Sequence, residues 1–299
     1  MRRVVLTTDF SECARRTLDC IPALKAMGFD EVVLLHVINP HDLAHVLFGL
    51  GSDQQLAQIR TRVESILAET AEQTKQWNLP VRPVVKFGKA ADGIIATARE
   101  EGAQLITIGS QGWGLVKGTV LGSVSERVLR HAPMPVMVLK CGPKGAPEDE
   151  RCDQDYRSLF RRIMLPTDFS EASLEARDYV LELAEHVREA VEEVIVIHVA
   201  GRFTVFSEQE YQEAPAELRR VARSLEAAGY RVRTLLKRGV PFVQLAAAVR
   251  EESVTLVVMG SHGLSRVREM LLGGTCAEFV RTVDRPVLVV KRDRLDHIV

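Results

Sequence analysis

The chain of 299 residues contains the same pattern twice. The stretch RRVVLTTDFSE, which begins at Arg2, returns as RRIMLPTDFSE from Arg161. Further along, LITIGSQG returns as LVVMGSHG, and APMPVMVLK returns as VDRPVLVVK. The first pair is offset by 159 residues and the later two by 151, so the second copy is shorter in its middle connections. A unit of roughly 140 residues has the length of a domain and exceeds a solenoid repeat. The sequence therefore predicts two tandem domains of one fold.

Each copy alternates short apolar runs with longer stretches of helical periodicity. The runs of the first copy are VVLTT, VVLLHVI, VRPVVKF, LITIGS and VMVLK, which are typical of buried parallel strands. Strands that alternate with helices predict two tandem doubly wound α/β sandwiches, each with a five-stranded parallel sheet. The predicted helical faces are Ala14, Leu18, Ile21 and Leu24; Ile59, Val63, Ile66 and Leu67; and, in the second copy, Val180, Leu183, Ala184 and Val187.

The segment between the copies, CGPKGAPEDERCDQDYRSL, is rich in glycine, proline and charge, as is typical of a linker. We expect a first domain over residues 1–141, a linker over 142–159 and a second domain over 160–299. The last apolar run of each copy, VMVLK or VLVVK, would expose a pairing edge if left uncovered. Pairing of the two fifth strands within one chain would cover both edges and create a pseudo-two-fold arrangement. The sequence leaves open whether such chains then form a homodimer.

Composition limits the classes of function. With 39 Lys and Arg against 40 Asp and Glu, the net charge is -1, so there is no general basic field for nucleic acid or an acidic membrane surface. No apolar run approaches the roughly 18 residues of a membrane span, and Asp9 interrupts the apolar start too early for a secretory signal. We therefore expect a cytoplasmic protein without nucleic-acid or membrane partners. Five cysteines without paired spacing are expected to be reduced thiols: Cys13, Cys20, Cys141, Cys152 and Cys276.

The densest glycine cluster follows the fourth apolar run, with the spacing Gly109-x₂-Gly112-x₉-Gly122-Ser123. Such glycines either adopt positive φ or let the backbone approach another group closely. In open α/β sheets, ligands bind outside the carboxyl ends of the strands where the strand order reverses. A glycine-rich loop that runs into a helix start presents N–H groups to phosphate. The order of residues fits neither a Walker A loop nor a Rossmann fingerprint.

This spacing, with TDFS after the first strand and HV at the end of the second, resembles the ATP-binding branch of the universal stress protein family. The resemblance covers both copies almost end to end and occurs in register twice. It implies the strand order 3-2-1-4-5, ATP at the switch point and pairing through the fifth strands. It also implies an ATP-linked sensor or regulator of a stress, growth-arrest or persistence response, with an unidentified regulatory protein partner. Mg²⁺ bound together with ATP is compatible with this resemblance.

Residue by residue, the resemblance places Thr8 and Asp9 at the nucleoside and the backbone of Val37 at the adenine. It places the phosphates at the backbone of Gly109, Gly112 and Gly122, with Ser123, Val124 and Ser125 at the helix start. The corresponding residues of the second copy are Thr167, Asp168, Val199, Gly260, Gly263, Gly273 and Thr275.

The two copies differ where the phosphates would bind. Ser123 corresponds to Gly274, so the second copy lacks that hydroxyl. Ser123 and Glu126 have the spacing of a capping box, S-x-x-E, whereas the second copy offers one a residue later, from Thr275. We therefore expect the second helix to begin one residue further on, and the first site to be the tighter one. Gln111, at a position where the family often has His or Arg, would weaken a side-chain contact to phosphate.

Several of these residues have an ordinary structural interpretation as well. Ser123 can be a simple N-cap, and Asp9 and Asp168 can start the first helix of each copy. His36 and His198 lie on apolar strands, where histidines more often serve the core than catalysis.

Three classes of function stay open. No nucleophile–base pair can be placed, and strands three and four do not end in an acid, which favours a nucleotide-binding regulator with at most slow ATP hydrolysis. The alternatives are a slow ATPase or nucleotidyl-transfer enzyme, and an interaction or chaperone-like scaffold with a structural nucleotide. The sequence does not choose between ATP, ADP and AMP.

Overall fold

The computed structural model describes residues 1–39, 53–111, 121–140, 156–201, 208–263 and 272–291. In the first half the elements are β1 (Arg3–Thr7), α1 (Glu12–Thr17), α2 (Ile21–Ala26), β2 (Glu31–Ile38), α3 (Asp53–Gln73), β3 (Val81–Phe87), α4 (Ala90–Glu100), β4 (Leu105–Gly109), α5 (Ser123–His131) and β5 (Val136–Leu139). In the second half they are α6 (Tyr156–Phe160), β6 (Arg162–Pro166), α7 (Glu171–Val187), β7 (Glu193–Ala200), α8 (Glu208–Ala227), β8 (Val232–Arg238), α9 (Pro241–Glu251), β9 (Leu256–Gly260), α10 (Gly274–Thr282) and β10 (Val287–Val290). Short 3₁₀ turns lie at Leu18–Cys20, Thr74–Trp77 and Arg188–Ala190.

The strands form one ten-stranded sheet in the order β3-β2-β1-β4-β5-β10-β9-β6-β7-β8. Neighbouring strands are parallel within each half, so both halves have the predicted order 3-2-1-4-5. The fifth strands pair antiparallel at the centre, as predicted, with Val138 opposite Val287 and Met137 opposite Leu288. All residues of both strands are buried. The apolar edge of each half is thus covered by the other half of the same chain.

Helices cover both faces of the sheet, which confirms the doubly wound architecture. On one face α2, α3, α7 and α8 pack over alternate strand residues such as Val4 and Leu6. On the other face α4, α5, α9 and α10 pack over the intervening residues, such as Val5. This alternation follows from the two-residue period of a strand, which sends successive side chains to opposite faces.

Some local expectations were wrong. The first predicted helix is divided by the 3₁₀ turn at Leu18–Cys20, because Pro22 lies in the first turn of α2 and is tolerated only at a helix start. Ile66 is 38% exposed and does not belong to the buried face of α3. β3 is a partly exposed edge strand rather than a buried one, and Pro83 is compatible with an edge because it needs no partner for an N–H.

The expected linker and thiols are described only in part. Residues 142–155 of the linker lie outside the described residues, whereas residues 156–159 belong to α6, whose Leu159 is buried. Cys13 is disulfide-bonded, so the expectation of a reduced thiol is wrong there. Spacing along the chain did not reveal it, because a disulfide depends on distance in space. Cys20 and Cys276 are thiols. Within the described ranges, no helix combines the length and the apolar character needed to cross a membrane.

Truncation of a central strand residue tests how strongly packing in the middle of the sheet stabilises the fold. We expect Leu288→Ala to lower the free energy of unfolding by about 2–5 kcal/mol, because it leaves a cavity at a fully buried position in the middle of the sheet. Urea denaturation followed by circular dichroism measures the loss. Val243→Ala, at a side chain that is 47% exposed, is the matched control and should change stability by no more than about 0.5 kcal/mol. A similar loss of stability in both variants would contradict the importance of packing at Leu288.

Candidate functional site

The carboxyl ends of β1, β2 and β4 are connected by backbone hydrogen bonds into one edge. The N–H of Thr8 donates to the carbonyl of Leu35 at 2.9 Å, and the N–H of Gly122 donates to the carbonyl of Ser110 at 2.8 Å. The first bond joins β1 to β2, and the second ties the start of α5 to the end of β4. The equivalent bonds of the second copy, both 2.8 Å long, join Thr167 to Ile197 and Gly273 to Ser261.

The Thr-Asp pair after the first strand builds the turn that starts α1. Thr8 Oγ1 accepts from the N–H of Phe10 at 3.1 Å, and Asp9 Oδ1 accepts from the N–H of Ser11 at 3.0 Å. Ser11 Oγ then accepts from the N–H of Ala14 and is the N-cap of α1. Asp9 Oδ1 thus helps to start the first helix, as the structural interpretation of this residue predicts. Thr167 and Asp168 make the same turn before α7, with Ser170 as its N-cap.

A phenylalanine in a left-handed conformation follows each Asp, a feature that sequence reasoning missed. Phe10 and Phe169 both have φ of 63°, which is rare for a bulky residue and marks a strained turn. Their rings pack on His36 and His198 with centroids 4.5 and 4.7 Å apart. The only signal in the sequence was the repeated TDF.

The histidines serve this turn, as their structural interpretation predicts. In each copy Nδ1 lies 2.8 Å from the carbonyl oxygen of the Thr, either Thr8 or Thr167, so Nδ1 carries the proton and donates. Burial lowers the pKa of His36 below its ordinary value. His36 is therefore neutral at pH 7, which agrees with one ring nitrogen as the donor.

At the strand ends, the motif glycines Gly109 and Gly260 serve close packing rather than positive φ. Among the described glycines, positive φ occurs outside the motif, for example at Gly88 and Gly239. A methyl group at Gly109 would lie 3.0 Å from Cys13 Sγ, and one at Gly260 would lie 2.5 Å from the carbonyl oxygen of Ala172. Side chains there would push α1 or α7 away from the strand ends.

Another motif glycine, Gly263, lies beside an acid. A methyl group at Gly263 would lie 2.2 Å from Asp168 Oδ2, so the loop backbone passes directly over this carboxylate. Gly112, its counterpart in the first copy, lies outside the described residues.

The two capping boxes do not form. The N-cap of α5 is Gly122, and Ser123 is the first helical residue. Likewise, the N-cap of α10 is Gly273, and Gly274 is the first helical residue. The two helices thus begin in the same register, and the expected shift of one residue is wrong. The bonds from Gly122 and Gly273 back to the strand ends determine both starts, and they outweigh the S-x-x-E pattern.

A helix start with a glycine N-cap is suited to an anion. Glycine has no side chain that could accept a hydrogen bond from the first-turn N–H groups, which need an acceptor from elsewhere. Those N–H groups and the helix dipole together favour a negatively charged ligand. Ser123 and Val124 are exposed at this start in the first copy, and Gly274 and Thr275 are exposed in the second.

Other predicted residues have internal roles. Ser125 is buried, and its Oγ donates to the carbonyl of Gly109 at 2.7 Å, so this hydroxyl ties α5 to β4. Cys276 occupies its place in the second copy, and burial raises the pKa of that thiol to about 12. Val37 is partly buried at the end of β2, where a methyl group at Gly93 would lie 2.9 Å from Val37 Cγ1. Val199 is partly buried at the corresponding place.

Alanine substitutions should distinguish Gly260, which is closely packed, from Gly274, which has open space around it among the described residues. We expect Gly260→Ala to lower the free energy of unfolding by about 1–3 kcal/mol, because its methyl group would meet the backbone of α7. In Gly274→Ala the methyl group has no described atom within 4 Å, so stability should stay unchanged or rise by up to about 1 kcal/mol. Chemical denaturation of both variants makes the comparison. Equal losses would contradict the close approach at Gly260.

Comparison with known proteins agrees with this architecture. The sequence model of the universal stress protein family matches residues 1–140 and 159–291. The universal stress protein MJ0577 of Methanocaldococcus jannaschii is 29% identical over 153 residues, which cover 46% of this chain and 94% of that protein. A universal stress protein of Mycolicibacterium smegmatis is 27% identical over 277 residues, 87% of each chain. The crystal structure of a universal stress protein from Archaeoglobus fulgidus superimposes with a TM-score of 0.74 at 27% identity, covering 97% of this chain and 96% of that one. The chain therefore belongs to the universal stress protein family, with one family domain in each half.

Proposed function

We propose that the protein binds ATP at the carboxyl ends of the strands in each half and acts as a nucleotide-dependent sensor or regulator of a stress or growth-arrest response. The observation that carries this proposal is the pair of helix starts at α5 and α10. Both have a glycine N-cap bonded to the end of a strand, and both direct first-turn N–H groups toward the edge where ligands bind in open α/β sheets.

The backbone would do most of the binding. The N–H groups of Ser123 and Val124 would donate to phosphate oxygens, and the small residues Gly109 and Gly122 would allow close approach. The resemblance of the motif supports an adenine nucleoside at Thr8 and Asp9, with its base at the backbone of Val37. It also supports Mg²⁺ as a companion of the phosphates.

The hydroxyl of Ser123 supports a tighter first site. In the second copy Gly274 offers only its N–H at this place, while the helix register is the same in both. The expected inequality therefore depends on one hydroxyl group rather than on a shifted helix. Hydrogen bonds to charged groups contribute about 1.5–3 kcal/mol, enough to separate the two affinities.

We further propose a cytoplasmic location, domains over 1–141 and 160–299, and a regulatory protein partner that responds to the bound nucleotide. A homodimer would have to form on surfaces other than β5 and β10, because these strands are paired within the chain.

Release of bound nucleotide from freshly purified protein tests the proposal. The protein is denatured, and the released small molecules are identified and counted per chain by mass spectrometry. ATP at about one per chain is expected if the first site dominates, and about two per chain would contradict unequal sites. ADP alone would favour the slow ATPase. No released nucleotide, together with no binding of added ATP, would overturn the proposal and favour a scaffold.

Substitutions at the first helical residue of α5 and of α10 should change the ATP affinities of the two sites in opposite directions. We expect Ser123→Ala to weaken ATP binding at the first site by about tenfold or more, because a hydrogen bond to a charged phosphate is lost. Gly274→Ser should strengthen binding at the second site. Isothermal titration calorimetry with ATP measures both. No change in either variant would mean that the hydroxyl does not contact the nucleotide.

A further inference from the structure

The C-terminal end of α5 is bound by a lysine from the other half of the chain. Lys291 directly follows β10, and its Nζ donates to the carbonyls of Leu129 at 2.5 Å and of Arg130 and Ala132 at 3.1 Å. These are carbonyls at the end of α5, which lack partners within the helix. A cation at this end also complements the helix dipole. The second half thus anchors the helix whose other end faces the first candidate phosphate site.

The anchoring is reciprocal. Lys140 directly follows β5, and its Nζ donates to the carbonyl of Val280 in α10. The exchange is a consequence of the antiparallel pairing of β5 with β10, which brings the end of each strand to the last helix of the other half. Burial lowers the pKa of Lys140 and of Lys291 to about 8, so both side chains are mainly protonated at pH 7.

A second contact between the halves lies near the start of α5 and has no counterpart in α10. Arg281, from the last turn of α10, donates to Glu126 Oε1 at 2.6 Å, and Arg130 donates to the same oxygen at 2.9 Å. Arg130 and Arg281 occupy equivalent positions in the two copies, 151 residues apart. Both therefore converge on one carboxylate. The position equivalent to Glu126 is Ala277, which has no charge to offer.

The charge of Glu126 matters because it lies in the first turn of α5. An uncompensated carboxylate so close to a phosphate would repel it. The hydrogen bonds from Arg281 first, and then from Arg130, hold the pKa of Glu126 below its ordinary value. The carboxylate is therefore ionised, and its charge is offset by two guanidinium groups, one from each half of the chain.

We propose that Lys291 and Arg281 of the second half are positioning residues for the nucleotide site of the first half. This inference rests on the proposed function. Lys291 fixes the C-terminal end of α5 and thereby the direction of its first-turn N–H groups, while Arg281 offsets the negative charge of Glu126 beside the phosphates. The first site is thus completed by the second half, and the second half has a role even where its own site is weaker.

Removal of the lysine tests the positioning of the helix. In Lys291→Met, ATP affinity at the first site should fall about fivefold or more, as expected for a coupling between distinct sites, with the second site unchanged. Lys140→Met is the matched control, and in this variant we expect ATP affinity to fall at the second site rather than at the first. Calorimetry resolves the two affinities, and photolabelling by 8-azido-ATP with peptide mapping assigns them. Without nucleotide, amide hydrogen exchange should be faster in the last turn of α5 in Lys291→Met, and Lys291→Arg should restore both properties.

A double-mutant cycle tests the charge compensation. Arg281→Met should weaken ATP binding at the first site by about two- to fivefold, the range of a partly exposed ion pair. In the Glu126→Gln background, Arg281→Met should have no further effect at the first site, because the carboxylate in the first turn of α5 is gone. A second carboxylate that Arg281 contacts, Glu278 at 3.2 Å, belongs to α10. Glu126→Gln alone should leave ATP affinity at the first site unchanged or raise it. An ion pair that merely holds α5 against α10 would instead weaken binding when either Glu126 or Arg281 is replaced, and that result would overturn the role of Arg281.

The outcomes separate the two proposals. If the unaltered protein binds no ATP, the proposed function fails, and positioning for nucleotide fails with it. If the unaltered protein binds ATP and Lys291→Met binds it equally well at the first site, only the positioning role of Lys291 is overturned.

Discussion

The antiparallel pairing of β5 with β10 is the interaction on which the rest of the structure depends. It joins two parallel five-stranded sheets into one and buries the two apolar edges that each half would otherwise expose. The same pairing places α5 beside α10. It also brings Lys140 of the first half to α10 and Lys291 of the second half to α5. A change at this seam therefore acts on the core and on the helices α5 and α10.

The candidate sites are built mainly from backbone. Glycine at the strand end lets a helix pack against it, as Gly260 does with Ala172. Glycine at the N-cap leaves the first N–H groups for an external acceptor. The bond that both copies make from Gly122 or Gly273 to the strand end sets where the helix begins. In our proposal, main-chain N–H groups are the donors, and the ion pair of Glu126 with Arg281 sets the charge beside them.

Repetition made the large features predictable. Two copies of one pattern predicted the fold class and the central pairing, because hydrophobic periodicity and edge protection are properties of short segments. The strand order was an expectation from the resemblance to the universal stress protein family. It was harder to foresee which of two hydrogen-bonding patterns would determine a helix start. The S-x-x-E spacing at Ser123 is a valid capping signal, yet the bond of Gly122 to Ser110 takes precedence. The positive φ of Phe10 was missed because its stacking partner, His36, lies on another strand.

By itself, the sequence determined that this protein has two α/β domains of one family, a glycine-rich loop before a helix in each, and a first helical position that carries a hydroxyl, that of Ser123, only in the first copy. Only the tertiary structure decided that Gly109 and Gly260 serve close packing, that α5 and α10 start in the same register, and that α5 is contacted by cations from both halves. The physical reason is that periodicity and spacing act within a segment, whereas the contacts of Gly260, Lys291 and Arg281 join residues that are far apart in the chain and meet only when the sheet is assembled.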